Sequence, residues 1–166
     1  MNNISKIIDK MTEKVSDFLS IMLFVMIMLV FISVFFRFTF NISSVAAQEL
    51  VMYIHALVFM FGISYTLKEN AHVQIDIIYN RLSVKLKSML SIFGLFIFVL
   101  PTSFFIIYIS IDMVAQSWSI LEGSSEAGGM DLVLILKSFI PIMGILISIQ
   151  TVSEIIKYFK AYKNER

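Results

Sequence analysis

Long runs without charged residues divide the chain into apolar segments. Four runs contain no Asp, Glu, Lys or Arg: 18–36, 50–67, 88–111 and 138–153. The last extends to about 132–156 if Lys137 is accepted within it. A helix needs roughly 20 apolar residues to cross a hydrocarbon core, and the runs lack the alternation of membrane barrel strands. The pattern predicts an all-α integral membrane protein with four transmembrane helices, forming one membrane domain over residues 1–166.

The positively charged residues predict how the spans are oriented. Eleven of the thirteen Lys and Arg residues lie before span one, between spans two and three, or after span four. The other side of the predicted membrane has only Arg37 and Lys137. Because Lys and Arg are enriched in cytoplasmic segments, both termini are expected in the cytoplasm.

Two cytoplasmic segments are amphipathic at helical spacing. Residues 1–17 and 73–87 place apolar side chains on one helical face and charged ones on the remaining surface. Helices of this kind lie in the headgroup layer, where their basic residues meet anionic lipid. The sequence therefore predicts two interfacial helices, with membrane lipid as a partner and surface anchoring as their role.

Composition narrows the function. Hydrophobic residues make up 58% of the chain and charged residues 15%, against about a quarter charged in soluble domains. This excludes a soluble enzyme, and net charge +1 excludes the strongly basic face of a nucleic-acid binder. The absence of Cys excludes a disulfide scaffold, a thiol nucleophile and a Cys-based metal site.

Ionisable residues are nearly absent from the predicted spans. His55 is the only titratable residue well inside one. Its ordinary role is a hydrogen bond to a neighbouring helix; the sharper alternative is a haem ligand, which needs a second His at the same depth. His72 lies beyond the cytoplasmic end of span two, so the two cannot face one haem. No proton relay or cation site is apparent, which favours a scaffold or accessory subunit with no cofactor.

Charged residues at the span ends are candidate structural or partner contacts. Arg37 and Glu49 bracket the first outer loop and either form an ion pair that locks the hairpin or remain separately solvated. Lys137 either extends to the outer interface, pairs with Asp112, or meets a partner subunit.

Two further candidates concern the cytoplasmic loop and the helix axes. His72 and Asp76 are four residues apart, and with Glu69 they suggest either a weak metal site or, more ordinarily, polar fixing of the loop to the membrane or a partner. Pro141, like Pro101 in span three, is expected to kink its helix.

Several short motifs follow one another along the chain: Arg37-Phe38, Glu49-Leu50, Gly62, His72-x-x-x-Asp76, and Ile140-Pro141 followed by Gly144. In these motifs and their order, over about residues 18–156, the chain resembles the DctQ-like small membrane subunits of tripartite ATP-independent periplasmic (TRAP) transporters. The chain departs from the family in having no Trp in span two.

The resemblance implies a non-catalytic subunit of the bacterial inner membrane. Such subunits form a scaffold for a large multispanning subunit, which carries sodium and substrate, while a periplasmic binding protein delivers an organic acid. Two alternatives remain from the residues themselves. One is the membrane anchor of a redox enzyme, suggested by His55. The other is a stand-alone small oligomeric exporter with Arg37, Glu49 and Lys137 lining a pore.

Overall fold

The described residues form a bundle of long helices. The computed structural model describes residues 3–69 and 82–164, and these contain no strand. The helices are α1 (Asn3–Phe40), α2 (Val45–Lys68), α3 (Val84–Gly94), α4 (Leu100–Ser119) and α5 (Val133–Asn164), with a π-helical segment at Leu95–Val99. That segment joins α3 to α4, so the two helices form one continuous rod, Val84–Ser119. Together with α1, α2 and α5 this gives four helical rods long and apolar enough to cross a membrane. The predicted all-α architecture with four spans is confirmed at this level.

Local chemistry explains where the helices begin and end. Asn41 ends α1 with a left-handed backbone (φ 54°), a conformation that Asn tolerates better than most residues. Ser44 then caps α2, its hydroxyl oxygen accepting a hydrogen bond from the Ala47 N–H at 3.3 Å. Ser83 caps α3 in the same way through the Leu86 N–H. The first two rods therefore form a hairpin with a four-residue turn.

The helices pack through narrow seams of small and polar residues, with α5 in contact with every other helix. In α1 the buried residues are Ser5, Thr12 and Leu19, which are seven positions apart. Seven-residue spacing is typical of left-handed helix packing, and small residues let helix backbones approach closely in membranes. Most large apolar side chains face outward instead, as expected where lipid is the solvent.

The π-helical segment keeps the seam of the third rod in register. Its buried residues are spaced by seven, except for one step of eight across the π-helical segment, and are Ser88, Leu95, Ser103, Ser110 and Ser117. A π-helical turn accommodates one extra residue. The insertion therefore returns the later serines to the face that contacts α5. The segment also ends two residues before Pro101, which cannot donate a backbone hydrogen bond.

The two amphipathic segments are only partly described. Residues 3–17 begin the continuous 38-residue α1, which is about 57 Å long at roughly 1.5 Å per residue. They do not form a helix of their own, and their position at the membrane interface stays a prediction. The small polar residues Ser5 and Thr12 pack on α5, while Ile4 and Ile7 are exposed. Of the segment 73–87, residues 73–81 lie outside the described residues, and residues 84–87 form the start of α3.

A glycine in α5 permits its close contact with α4. A Cβ on Gly144 would lie 2.6 Å from Ile107 Cγ1 and 3.0 Å from the Ser103 carbonyl oxygen. We expect Gly144→Ala to lower the free energy of unfolding by about 1–3 kcal/mol because of overpacking, measured as a lower thermal midpoint in detergent. Gly62→Ala in α2 is the matched control, since its Cβ would meet nothing within 4 Å. Equal midpoints for the two variants would contradict the close contact.

Candidate functional site

Glu49 holds the loop between α4 and α5. The carboxylate accepts hydrogen bonds from the Met130 N–H at 2.6 Å and from the Ser124 hydroxyl. One helical turn further, the Tyr53 hydroxyl donates to the Met130 carbonyl at 3.5 Å. Within the loop, Gly128 has φ 81°, which favours glycine. These bonds fix the loop over the start of α2, at what we call the Glu49 end of the bundle (residues 37–49 and 118–137).

The expected Arg37–Glu49 ion pair does not form. Glu49 is bound to the loop instead, and Arg37 has no ion-pair or hydrogen-bond partner among residues 3–69 and 82–164. The two residues do bracket the same turn, as the hairpin prediction required. The sequence could not predict that the loop would bind Glu49 in place of Arg37, because every residue except proline has a backbone N–H group.

Lys137 pairs with Glu122 rather than with Asp112. Its ammonium donates to the Glu122 carboxylate, and both side chains are about one-third exposed. The hydrogen bond from Lys137 holds the pKa of the Glu122 carboxyl below its usual range. The pair links the loop to the first turns of α5. Glu49 and Lys137 therefore both bind residues of the loop between α4 and α5.

His55 faces outward from α2. Its ring is exposed and stacks on Phe59, with centroids 6.3 Å apart. The ordinary expectation of a hydrogen bond to a neighbouring helix is therefore not met within the described part of the chain. His72 and Asp76 lie outside the described residues. Groups of His, Asp and Glu able to hold a metal are absent from the residues that are described.

Pro141 lies inside α5, which continues as one helix through it. Pro has no N–H, so the carbonyl one turn earlier, that of Lys137, loses its usual helical partner. The neighbouring Ser138 hydroxyl donates to the Leu134 carbonyl at 2.7 Å and accepts from the Trp118 indole N–H at 2.9 Å. Ser138 lies three residues before Pro141 and binds Trp118 of α4, so Pro141 lies close to the contact between α4 and α5.

A polar cluster that the sequence reasoning missed joins α1 to α5 at the opposite end, which we call the Lys157 end. Lys157 pairs with Asp9 at 3.0 Å and with Glu154 at 2.6 Å, and Glu154 is only 3% exposed. The Gln150 amide donates to Asp9 at 3.1 Å and to Glu154 at 2.8 Å, and accepts from the Thr12 hydroxyl at 2.7 Å. The seven-residue spacing of small and polar residues in α1 was the signal that could have indicated this contact.

Other contacts at the Lys157 end join α1 to α2 and to α5. Lys68 donates to Glu13 at 2.8 Å and to Glu69 at 2.9 Å. The Ser153 hydroxyl donates to Asp9 at 2.9 Å. Glu69, considered above as a metal ligand, is therefore one of two carboxylates around an ammonium group, which is an ion-pair arrangement.

Comparison with known proteins gives one result that covers most of the chain. The comparison with curated proteins finds no match. The family model for the DctQ component of tripartite ATP-independent periplasmic transporters matches residues 26–161, from the middle of α1 nearly to the end of α5. These residues contain the Arg37, Glu49 and Pro141 motifs on which the resemblance rested. The chain therefore belongs to the DctQ family, the small membrane component of these transporters.

Proposed function

We propose that the protein is the non-catalytic small subunit of a sodium-coupled transporter that imports an organic acid into a bacterial cell. In this proposal it provides a fixed scaffold in the inner membrane for a large multispanning subunit, and a periplasmic binding protein delivers the substrate. The family match carries the proposal.

The polar groups of the described bundle support a scaffold. The ion pairs among described residues lie at its two ends, where Lys68 and Lys157 are at one and Lys137 at the other. Their partners are other side chains of this chain, so their charges are already compensated. Transport requires groups that bind and release a solute near the middle of the membrane. In this proposal the large multispanning subunit binds and releases the solute.

The arrangement of basic residues supports cytoplasmic termini. Tertiary packing gathers Lys68 and Lys157 at the end of the bundle where α1 begins and α5 ends. The uncompensated Arg37 is at the opposite end. Since basic residues are enriched on the cytoplasmic side, the Lys157 end is the cytoplasmic end in this proposal.

An outward face of α2 is the proposed contact with the large subunit. Met52 and Phe59 are 48% and 66% exposed, and His55 lies between them on the same helical face. A polar ring in the middle of a span is costly against acyl chains. A second protein packed against this face would supply the His55 ring with a hydrogen-bond partner.

Co-purification and uptake together test the proposal. The chain, tagged at its C-terminus and expressed with its neighbouring genes, is expected to retain a large multispanning protein in mild detergent at near one-to-one stoichiometry. Deleting its gene alone is expected to abolish sodium-dependent uptake of the transported acid, assayed with labelled succinate and labelled N-acetylneuraminate as probes. Purification without any large membrane protein, or uptake unchanged by the deletion, would reject the proposal.

The same pull-down tests the face of α2. His55→Leu is expected to lower recovery of the large protein because it removes the polar group. Tyr108→Leu is the matched control: Tyr108 is also an exposed polar aromatic residue (79% exposed), but it lies on a different helix, α4. Equal recovery with both variants would place the interface elsewhere while leaving the subunit role intact.

A further inference from the structure

An open groove lies where α1 ends and α2 begins. It has a volume of about 480 Å³ and lies between the last three turns of α1 and the first two turns of α2. This is within the roughly 300–1,000 Å³ typical of small-molecule sites. The groove opens on the outside of the bundle at the Glu49 end, so its natural occupants are molecules that approach from the membrane.

The groove is polar at one end and apolar at the other. Arg37, Ser44 and Gln48 line the part near the turn, and Val30 and Val51 line the part deeper in the span. Seven residues separate Arg37 from Val30, which is about 10 Å along a helix. This polarity corresponds to a ligand with a charged head and an apolar tail.

The positive charge of Arg37 indicates that the head group of the ligand is negatively charged. Arg37 is exposed and has no ion-pair partner among the described residues, because Glu49 is bound to Ser124 and Met130. Ser44 adds a hydroxyl hydrogen, since its oxygen is used only as the acceptor for Ala47. A guanidinium beside a hydroxyl is a typical phosphate-binding arrangement.

We propose that this groove binds one anionic phospholipid. The phosphate lies against Arg37 and Ser44, and an acyl chain runs along the apolar end toward Val30 and Val51. The proposal uses only the membrane-spanning fold and the groove, so it does not depend on which substrate is transported.

Native mass spectrometry of the purified full chain tests the site. Dimyristoyl phosphatidylglycerol is the probe, and dimyristoyl phosphatidylcholine, with identical chains and no net charge, is the comparison. We expect a one-to-one phosphatidylglycerol adduct that exceeds the phosphatidylcholine adduct. Arg37→Ala is expected to weaken it about tenfold, the loss expected for one charge-assisted contact, while Arg37→Lys retains part of the binding.

Two variants separate the groove from general charge and from folding. Lys14→Ala removes one exposed positive charge from the same helix at the other end of the bundle, and it should leave the adduct unchanged. Ala47→Leu fills the groove without changing charge, and it should weaken both lipids.

The outcomes that overturn the proposal are specific. Equal phosphatidylglycerol binding by wild type and Arg37→Ala would do so, as would an equal loss with Lys14→Ala. An adduct seen with the chain alone but absent from an assembled complex would assign the groove to an acidic side chain of a partner protein. A selective adduct that persists in the complex and depends on Arg37 and on the space beside Ala47 supports it.

Discussion

Replacing Lys157 by Met is expected to destabilise the bundle strongly. The ammonium group is the cation shared by Asp9 and Glu154, at 3.0 and 2.6 Å. Removing it leaves two carboxylates facing each other across α1 and α5, of which Glu154 is almost completely buried. Losing one partner of a buried pair costs about 3–5 kcal/mol. Because Lys157 is 29% exposed, we expect about 2–3 kcal/mol.

The measurement is the thermal midpoint of the purified chain in detergent, followed by size-exclusion chromatography after heating. The expected loss lowers the midpoint by about 5–10 °C for a chain of this length. Lys163→Ala is the matched control, since Lys163 is exposed in the last turn of the same helix. Adding Glu154→Gln to Lys157→Met should recover part of the loss by removing one uncompensated charge. A midpoint equal to that of Lys163→Ala would mean that the cluster does not stabilise the bundle.

Glu49→Ala is expected to release the loop between α4 and α5. The carboxylate accepts hydrogen bonds from the Met130 N–H and the Ser124 hydroxyl, and an alanine side chain can accept neither. A hydrogen bond to a charged group is stronger than one between neutral groups, but solvent weakens it at a carboxylate near the surface. After allowance for solvent, the loop should open about tenfold to a hundredfold more often.

Limited proteolysis measures this opening. The loop contains Glu122 and Glu126 and no Lys or Arg, so a glutamate-specific protease is suitable. Cleavage follows the population of the open loop when opening is fast. Gln48→Ala changes the neighbouring residue of α2 without touching the loop bonds, and should be cleaved at the wild-type rate. If Glu49→Ala were cleaved at that rate too, the loop would be held by other contacts, such as the Lys137–Glu122 pair.

The sequence predicted features that depend on neighbouring residues better than contacts between residues far apart along the chain. Span positions follow from hydropathy summed over about 20 consecutive residues, and the four runs all lie within long helices. The Arg37–Glu49 and Lys137–Asp112 pairs were proposed from proximity at span ends. Both were replaced by partners in the loop between α4 and α5, because this loop lies over the start of α2 and its groups reach Glu49 and Lys137 first. His72 and Asp76 stay a prediction.

The sequence reasoning missed the contacts between α1 and α5. The residues that meet there are up to 148 positions apart, and the charges of the first 17 residues resemble an ordinary solvated face. The structure reverses this: the apolar side of that segment is exposed, and its small polar residues are buried. Only the position of α5 decides which face of α1 is interior.

By itself, the sequence determined the number and type of the spans and the family, because both depend on local hydropathy and on motifs that are short in sequence. Tertiary structure decided which polar groups compensate each other, why one step of the serine seam is eight residues long, and why Arg37 is left without a partner in the described bundle. These features arise from helix packing, where one inserted residue or one loop carboxylate bond changes which side chains meet.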